Sequence, residues 1–459
     1  MTREDLPFSI RTLLHAPDAA AFTAIVRRTP AADIVEALEG VDPARFAPLL
    51  MVLSQDDRTE LFAYLPNELQ DALLPLLPRP AVVALFENLP SDDRADLFNR
   101  LSETAREQLL PALAKVERDD ILRLAAYPEG SVGSVTTSDY AAVGAHLTAA
   151  EALQQLRGTA PDKETIYVLY VLDADRRLQG TVSLRDLVLA PPGAKVAELL
   201  QPSPVFARAE WPRAEAADLI RRYDLLALPV VNGGERMIGI VTVDDAMDID
   251  KATDATQLAR FGGTTTLGGP ELDLRASSFR QLFSTRVVWL AVLTFFGVVT
   301  STYVAQQEEL LGSVIVLAAF IAPIIDMGGN TGSQSATLVI RAMALGQVRL
   351  RWLDIGFVVR RELPVALALG IAIALLEAVL AYYSKGVGAA VLWVVGLTML
   401  TVTVLGGIIG GVLPFMARRL GTDPATLSSP AITSIMDLLG VFVYFSFAYA
   451  FLGHLMEGA

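Results

Sequence analysis

Residues 430–445 read PAITSIMDLLGVFVYF, and the apolar run that they begin continues to Leu452 around a single carboxylate, Asp437. About 20 apolar residues cross the core of a bilayer, so this stretch predicts a membrane-spanning helix with Asp437 inside it. A carboxylate at that depth costs about 2.5–3.5 kcal/mol on insertion scales and by default marks a path for a cation. On these residues alone, a structural carboxylate that caps a half-helix or bonds the hydroxyl of Thr433 remains the alternative.

Four further charge-poor runs precede this one, at residues 287–304, 310–340, 363–383 and 387–417. With residues 431–452 they predict five membrane spans. Arginines occupy the connections on one side, and the opposite side has only Lys385. This bias places the N-terminus in the cytosol and the C-terminus outside a bacterial-type cytoplasmic membrane. The arginines are Arg275, Arg280, Arg286, Arg341, Arg349, Arg351, Arg360, Arg361, Arg418 and Arg419.

Composition divides the 459-residue chain into an acidic soluble part and a membrane part. Residues 286–459 hold nine Lys/Arg and nine Asp/Glu, so the whole net charge of −14 falls on the first 285 residues. A strongly acidic soluble part without a basic patch argues against nucleic acid as a partner. The chain has no cysteine and only three histidines. Thiolate sites are therefore excluded, and so few histidines argue against histidine-based catalysis and against a zinc site.

The first 130 residues are acidic and contain a helical repeat. The segment 56–62 returns at 92–98, 36 residues later, and Leu-Pro recurs at 65–66, 77–78 and 89–90. A fixed period of this size predicts a small solenoid of stacked helices. The carboxylates that open each repeat have an ordinary explanation as charges that complement a helix dipole.

A second internal repeat occupies residues 131–249. Residues 171–186 map without a gap onto 230–245, and each copy predicts a helix, two strands and a helix opened by Ser/Thr-x-x-Asp. This duplication resembles a tandem cystathionine-β-synthase (CBS) pair. Such pairs often bind adenine nucleotides such as ATP with the Asp of that motif at the ribose, which implies Asp186 and Asp245 here. Plain helix capping by these residues is the competing interpretation.

A helical segment with closely spaced carboxylates leads from the repeat toward the membrane part, and glycines at 262–263 and 268–269 interrupt it. A helix in this place would transmit the state of the acidic part to the membrane part. An ordinary solvated helix explains the same pattern, and the residues alone favour neither interpretation. Its carboxylates are Asp244, Asp245, Asp248, Asp250 and Asp254.

The second span contains a proline and three glycines between Pro323 and Gln334. Irregular backbone at membrane depth is tolerated where it lines a cavity or is buried in protein, so we expect freed carbonyls that face a cavity. Close helix packing through small residues is the alternative. Of the other acids in the spans, we expect Glu362 to pair with Arg360 and Arg361 at the interface, and Glu377 to support a pore or a subunit contact.

Two membrane motifs complete the pattern, P-x-x-D-x-G-G-N-x-G-x-Q at 323–334 and D-P-A-x-x-S-S-P-x-x-T-x-x-x-D-x-x-G at 423–440. With the acidic head, the CBS pair and five spans, the chain resembles the MgtE family of magnesium channels and transporters over nearly its whole length. The resemblance implies a multidomain membrane protein with four parts. These are an α-helical solenoid head (1–130), an α+β tandem CBS pair (131–249), a connecting plug helix (250–285) and a five-helix transmembrane domain (286–459).

The same resemblance implies transport rather than enzymatic activity. It implies a homodimer in the bilayer, with no obligate protein partner, whose pore lies on the two-fold axis. Asp437 from both subunits would hold a hydrated Mg²⁺, and oxygens near Gly328, Gly329, Asn330 and Thr433 would complete the cage. A path that grips the hydration shell suits Mg²⁺, because this ion sheds water reluctantly.

The resemblance also implies that cytosolic Mg²⁺ closes the pore by bridging carboxylates of the head, the CBS pair and the plug helix. Asp245 and Asp248 lie where the family places such ligands, with Asp244 and Asp250 beside them, and Asp92 or Asp93 would supply the head's share. Beyond them this chain has Lys251, Thr253, Thr256 and Gln257 where relatives carry a glutamate-rich helix. Fewer carboxylates predict weaker or differently placed gating.

Three other functions remain to be weighed. Oxygen ligands alone do not separate Mg²⁺ from Mn²⁺, Co²⁺ or Ca²⁺ as the cargo. A membrane hydrolase using Asp326 and Asp437 lacks any of the usual nucleophile or metal motifs. A nucleotide-responsive receptor without conduction would use the CBS pair alone.

Overall fold

The computed structural model describes residues 6–15, 18–160, 163–261, 272, 277–422 and 424–455. The predicted roles of Arg275, of Asp423 and of the glycines at 262–263 and 268–269 lie outside these residues. The chain divides into two compact units, Met1–Lys251 and Ala252–Ala459. Each unit is described by itself.

The head is a stack of short helices, and its Leu-Pro pairs mark the joints between them. Pro66, Pro78 and Pro90 each take the N-cap position of a helix, where the missing N–H costs nothing because no intrahelical partner would accept it. The leucine before each proline is buried. The helices are α1 (Leu6–His15), α2 (Ala19–Val26), α3 (Ala31–Ala37), α4 (Pro43–Met51), α5 (Gln55–Ala63), α6 (Asn67–Leu73), α7 (Arg79–Asn88), α8 (Ser91–Arg100), α9 (Glu103–Leu109) and α10 (Lys115–Leu124).

Alternate helices of the head pack on one another, α1 on α3, α3 on α5, α5 on α7 and α8 on α10. Phe22, Phe46, Phe62 and Phe86 fill the core between them and are fully buried. The two copies of the 36-residue repeat open α5 and α8. The predicted helical solenoid is therefore confirmed.

The CBS pair forms two small sheets, and each copy contains the predicted helix, two strands and helix together with short strands that were not predicted. Its helices are α11 (Ala149–Thr159), α12 (Leu184–Leu189), α13 (Val196–Leu199), α14 (Arg213–Tyr223) and α15 (Val243–Phe261). Its strands are β1 (Tyr140–Val143), β2 (Thr165–Leu172), β3 (Leu178–Ser183), β4 (Gln201–Pro202), β5 (Ala207–Arg208), β6 (Ala227–Val231) and β7 (Met237–Thr242). The strand orders are β1-β2-β3-β4 and β5-β6-β7.

Strand register confirms the internal duplication. Val171 pairs with Gly180 between β2 and β3, and Val230 pairs with Gly239 between β6 and β7. These are equivalent positions of the two copies. In each sheet the first two strands are parallel and the next pair is antiparallel. The bridge between Thr137 and Ile240 ties the segment before the first copy to the second.

The connecting helix begins earlier than the predicted boundary at residue 250. Helix α15 starts at Val243, directly after β7, and runs to Phe261. Asp244 and Asp245 lie in its first turn. The closing helix of the second repeat and the start of the connecting segment are therefore one continuous element.

Among its described residues, the membrane unit has five helices that are long and apolar enough to cross a membrane, as predicted. They are α16 (Phe279–Ala305), α18 (Ala318–Ala344), α19 (Trp352–Lys385), α20 (Ala389–Arg419) and α21 (Pro424–Leu452), with the short α17 (Glu308–Ser313) between the first two. Helix α20 packs along α18, α19 and α21. It therefore lies at the centre of the unit.

The apolar run at 310–340, predicted as one span, contains a break before α18. Helix α17 ends at Ser313, and Val314 has φ −136° and ψ 70°, which is not helical. A 3₁₀ turn at Ile315–Leu317 then leads into α18. Gly312 and Ser313 directly precede the break, and both are weaker helix formers than the leucines before them.

The glycines of the second span serve close packing rather than an irregular backbone. Helix α18 is continuous from Ala318 to Ala344, so the expected freed carbonyls are not observed there. A Cβ built on Gly406 of α20 would lie 2.5 Å from the carbonyl oxygen of Gly328, and one on Gly410 would lie 2.0 Å from that of Gly332. We call these four residues the glycine seam. It lets α18 and α20 approach until their backbones touch.

Candidate cation sites

A row of polar side chains runs along one face of α18. Asp326, Asn330, Gln334 and Thr337 follow one another at spacings of four, four and three, and all four are exposed in the single chain. We call this row the polar stripe. Such spacing puts the residues on one helix face. An exposed polar stripe on a membrane helix marks the face that meets water or a partner, because lipid satisfies none of these groups.

Asp437 of α21 lies beside the polar stripe. Its carboxylate is close enough to that of Asp326 for the two charges to interact. Asn330 donates from Nδ2 to Asp326 Oδ2 at 3.0 Å, and a Cβ built on Gly329 would lie 3.7 Å from Cα of Thr433. Two repelling carboxylates on adjacent helices are stabilised when a cation lies between them.

In the described part of a single chain, neither these residues nor any other group of three His, Cys, Asp or Glu is arranged so that it could hold a metal ion by itself. Two carboxylates, an amide and a hydroxyl suit a hard cation that keeps most of its water. The donor set is therefore of the kind that Mg²⁺ accepts, and water or a second copy of the chain would have to supply the remaining ligands.

Gly328 does not lie where it was predicted. Its carbonyl oxygen points into the glycine seam, against Gly406, and a Cβ on Gly328 would meet Val402 and Met436. It is thus buried between α18, α20 and α21, away from the polar stripe. The physical reason is that its lack of a side chain is needed for helix packing.

Glu362 and Glu377, the other acids noted in the spans, both lie on α19, which packs mainly on α20. Glu362 accepts a hydrogen bond from Ser335 Oγ at 2.8 Å. The expected pair with Arg360 or Arg361 is wrong, because the side chain points toward α18 instead of the interface. Glu377 is half-buried on α19, a helix whose main neighbour is α20.

A second group of acids forms inside the soluble unit, where the head meets the CBS pair. Asp92 and Asp93 of α8, Glu164 before β2, and Asp244 and Asp245 of α15 interact electrostatically with one another. We call these five the carboxylate cluster. Oδ1 of Asp92 is buried without a hydrogen-bond partner. Three separate elements thus bring like charges together, a costly arrangement without a counter-ion.

The pKa values of the cluster are raised accordingly. Burial, and after it the charge of Asp245, raises the pKa of Asp93 to about 6. Burial, with Asp245 and Asp244, raises the pKa of Glu164 to about 7. Burial also raises the pKa of Asp245, although Thr242 Oγ1 donates to its Oδ2 at 2.7 Å. Burial, and after it the charge of Asp245, raises the pKa of Asp92 well above its usual value.

Hydrogen bonds hold α8 in place so that its acids face the CBS pair. The hydroxyl of Ser91 lies 2.9 Å from that of Thr137 and accepts from the N–H of Ser138 at 2.6 Å. Arg94, whose side chain is 8% exposed, lies 3.9 Å from carboxylate oxygens of both Asp120 and Asp139. A buried arginine between two carboxylates fixes the rotation of α8. Asp92 and Asp93 are therefore placed by the neighbouring residues of their own helix.

The remaining predicted regulatory acids divide between two places. Asp248 lies near Asp245 and interacts with it. Asp250 instead pairs with Arg221 of α14 at 3.7 Å. Glu164 was missed by the sequence analysis, since a lone glutamate before a strand carries no local signal. Its backbone N–H donates to Asp139 O at 2.7 Å, which places it over the cluster.

The predicted nucleotide residues Asp186 and Asp245 lie in different surroundings. A cavity of about 470 Å³ opens between the two repeats. The N–H of Asp186 donates to Ser183 Oγ at 3.0 Å, and Ser183 lines that cavity. Asp245 belongs to the carboxylate cluster. The cavity is further lined by Tyr167, Thr181, Pro202, Tyr223 and Asp224.

Fold and sites together define a membrane protein for cation transport with an acidic soluble half. The family model of a divalent cation transporter matches residues 321–447. Those of the MgtE intracellular N domain and of the CBS domain match residues 29–130 and residues 132–193 and 196–251. A magnesium transporter MgtE of Thermus thermophilus is 38% identical over 331 residues, 72% of each chain. The chain therefore belongs to the MgtE family of magnesium transporters.

Two further relatives cover the chain differently. A magnesium transporter MgtE of Bacillus subtilis is 29% identical over 452 residues, 98% of each chain. A solved cytosolic domain of the Mg²⁺ channel MgtE in complex with ATP is 33% identical, with a TM-score of 0.51. It covers 53% of this chain and 99% of its own. The family resemblance drawn from the motifs is thus confirmed.

Proposed function

We propose that this chain conducts hydrated Mg²⁺ into the cytosol through a pore on the two-fold axis of a homodimer. The observation that carries the proposal is the polar stripe of α18 beside Asp437. In a homodimer Asp326 and Asp437 supply four carboxylates to one axis. Asn330 and Thr433 add neutral oxygens there, which suits an ion that keeps its inner water shell.

The electrical gradient supplies the driving force for inward movement. A divalent cation gains roughly 4.6 kcal/mol per 100 mV, twice the value for one elementary charge. The test is Mg²⁺ flux through purified protein in liposomes, with the membrane potential and the internal Mg²⁺ varied. Flux that does not change with the membrane potential would contradict a conductive path. Competition by Mn²⁺, Co²⁺ and Ca²⁺ in the same assay decides the cargo.

Regulation by internal Mg²⁺ is the second part of the proposal. The carboxylate cluster joins the head, the first CBS repeat and α15, and a divalent ion would relieve its repulsion. Binding there favours the state in which these elements are together, by mass action. Since α15 is the segment that leaves the soluble unit, its position would convey the bound state. Asp248 would add a ligand; Asp250 is bound to Arg221 and would add none.

Asp245→Asn should raise the internal Mg²⁺ concentration that half-inhibits flux by about tenfold. Losing one ligand charge from the cluster costs about 1.4 kcal/mol of binding or more, which corresponds to that factor. Flux into liposomes at graded internal Mg²⁺ measures the shift. The matched control is Asp175→Asn, an exposed turn residue between β2 and β3, which should leave the midpoint unchanged. Equal midpoints for Asp245→Asn and the wild type would contradict the regulatory role.

Mg²⁺ should bind the cluster more weakly in acid. Because the folded-state pKa values of Asp93 and Glu164 are raised to about 6 and about 7, protons stabilise the metal-free fold as pH falls from above 7 toward 4.5. Mg²⁺ must displace those protons. We expect apparent affinity to fall roughly tenfold between pH 8 and pH 6. The apparent Mg²⁺ affinity is measured by amide exchange within residues 91–100 of the full-length protein, corrected for the intrinsic exchange rate at each pH. Equal affinity at both pH values would contradict the raised pKa values.

We further infer that an adenine nucleotide binds the cavity between the CBS repeats. Ser183 and Thr181 would offer hydroxyls to the ribose or phosphates, Tyr167 an aromatic face to the base, and Asp186 would lie beside the ribose. The ATP complex of the related cytosolic domain supports this inference. Repeating the flux titration with and without ATP tests whether nucleotide alters regulation.

A further inference from the structure

The arginine-rich end of the membrane unit has a corner at which two helix ends meet. Helix α20 ends with Arg418 and Arg419, and α19 begins with Trp352 directly after Arg351. The guanidinium carbon of Arg419 lies 3.6 Å from the centre of the Trp352 ring. This stacking brings three arginines and an indole into one neighbourhood. We call it the arginine–tryptophan corner.

None of these arginines is neutralised within the described part of the chain. Among those residues, no ion pair joins Arg351, Arg418 or Arg419 to a carboxylate. The acid closest in sequence, Asp354, accepts from the backbone N–H of Arg349 at 2.8 Å. Stacking fixes the plane of the Arg419 guanidinium and leaves its N–H edge free for two parallel bonds to a planar or tetrahedral anion.

The apolar residues of the corner are as exposed as its charges. Trp352 is 71% exposed, Leu353 84% and Leu420 75%. Large apolar side chains in water beside unpaired arginines would be unfavourable, whereas the boundary between headgroups and acyl chains accommodates both. Indole rings are enriched at that depth, and exposed leucines there reach the acyl chains.

We propose that the arginine–tryptophan corner binds the headgroup phosphate of an anionic phospholipid. Arg418 and Arg419 would hold the phosphate, Arg351 would add charge, and Trp352, Leu353 and Leu420 would lie along the lipid's glycerol and upper acyl region. Charge complementarity selects an anionic lipid over a zwitterionic one, since juxtamembrane arginines gain from the negative leaflet. The site is separate from the polar stripe, and it does not depend on the transported ion.

The test is native mass spectrometry of the full-length protein from mixed phosphatidylglycerol and phosphatidylcholine vesicles. The wild type should retain phosphatidylglycerol preferentially. Each arginine near an anionic surface contributes about fivefold in affinity, so the variant with both Arg418→Gln and Arg419→Gln should lose retention about 25-fold. Arg419→Lys keeps the charge but loses the planar stack, and it should fall between the two.

The chain offers a matched control at the opposite end of the membrane unit. Lys385 lies 4.2 Å from the centre of the Phe320 ring, and Lys385→Gln removes a cation from a comparable aromatic contact. It should leave phosphatidylglycerol retention unchanged. Equal loss in this variant, or undiminished retention in the double variant, would overturn the proposal.

Two further measurements distinguish the lipid from other molecules that could occupy the arginine–tryptophan corner. Displacement of the lipid by millimolar inorganic phosphate would assign the corner to a free anion and overturn the lipid site. A change from dimer to monomer in the double variant, with lipid retention unchanged, would instead make it a contact between copies. Neither result is expected.

Discussion

Asp437→Asn should lower Mg²⁺ flux through the purified protein in liposomes at least about 100-fold. The amide has almost the size of the carboxylate, so α21 keeps its packing while the charge that attracts the cation is lost. Removing one partner of a desolvated charge pair costs about 2–5 kcal/mol, and 100-fold in rate corresponds to about 2.7 kcal/mol. The ratio of the two fluxes is measured as Mg²⁺ uptake at fixed potential, with the amount of folded protein determined by gel filtration.

The control for this variant is another acid of the membrane helices. Glu377→Gln removes a half-buried carboxylate from α19, which packs mainly on α20 rather than on α18 or α21. If Glu377 takes no part in the pore or in a subunit contact, contrary to the expectation from the sequence, the flux of this variant should stay within about twofold of the wild type. Asp326→Asn should give an intermediate loss, because its carboxylate interacts with Asp437 across the same region. Near-normal flux in Asp437→Asn would remove the proposed pore site.

Much of the architecture could be predicted from the sequence because it depends on patterns within short stretches of the chain. Five charge-poor runs predict five spanning helices, since each helix satisfies its own backbone. The 59-residue offset between 171–186 and 230–245 predicts the CBS duplication, and the register at Val171 and Val230 follows it. Leu-Pro pairs mark helix joints because proline is tolerated at a helix start. None of these inferences needs a contact between distant residues.

The features that the sequence did not predict depend on contacts between residues far apart in the chain. The glycines of α18 were noted, but their partners Gly406 and Gly410 were not, since only the packed structure pairs the two helices. Without the packing of α18 on α20 and α19, the sequence also led to two wrong predictions, a Gly328 carbonyl that faces a cavity and a Glu362 side chain paired with Arg360. Glu164 joins the carboxylate cluster because the folded unit brings it near Asp93, Asp244 and Asp245, and its neighbours in sequence give no indication of that proximity.

Gly410→Ala should destabilise the membrane unit by about 1–3 kcal/mol or more. The new methyl group would lie 2.0 Å from the carbonyl oxygen and 2.9 Å from the Cα of Gly332. Both atoms belong to backbone inside a helix, so no side chain can turn aside, and α18 and α20 must separate. Overpacking a well-filled interior carries that cost, and the displaced α18 also bears the polar stripe. Thermal unfolding in detergent measures the loss of stability, and flux should fall with it.

Gly396→Ala is the matched control, because it makes the same substitution on the same helix. A Cβ built there meets nothing within 4 Å, so only helix propensity changes, and alanine is the better helix former. We expect its unfolding temperature to equal or exceed that of the wild type. If Gly410→Ala were as stable as Gly396→Ala, α18 and α20 would not approach as closely as described. Asp326 on α18 would then lose its fixed distance from Asp437 on α21, because both helices are held against α20.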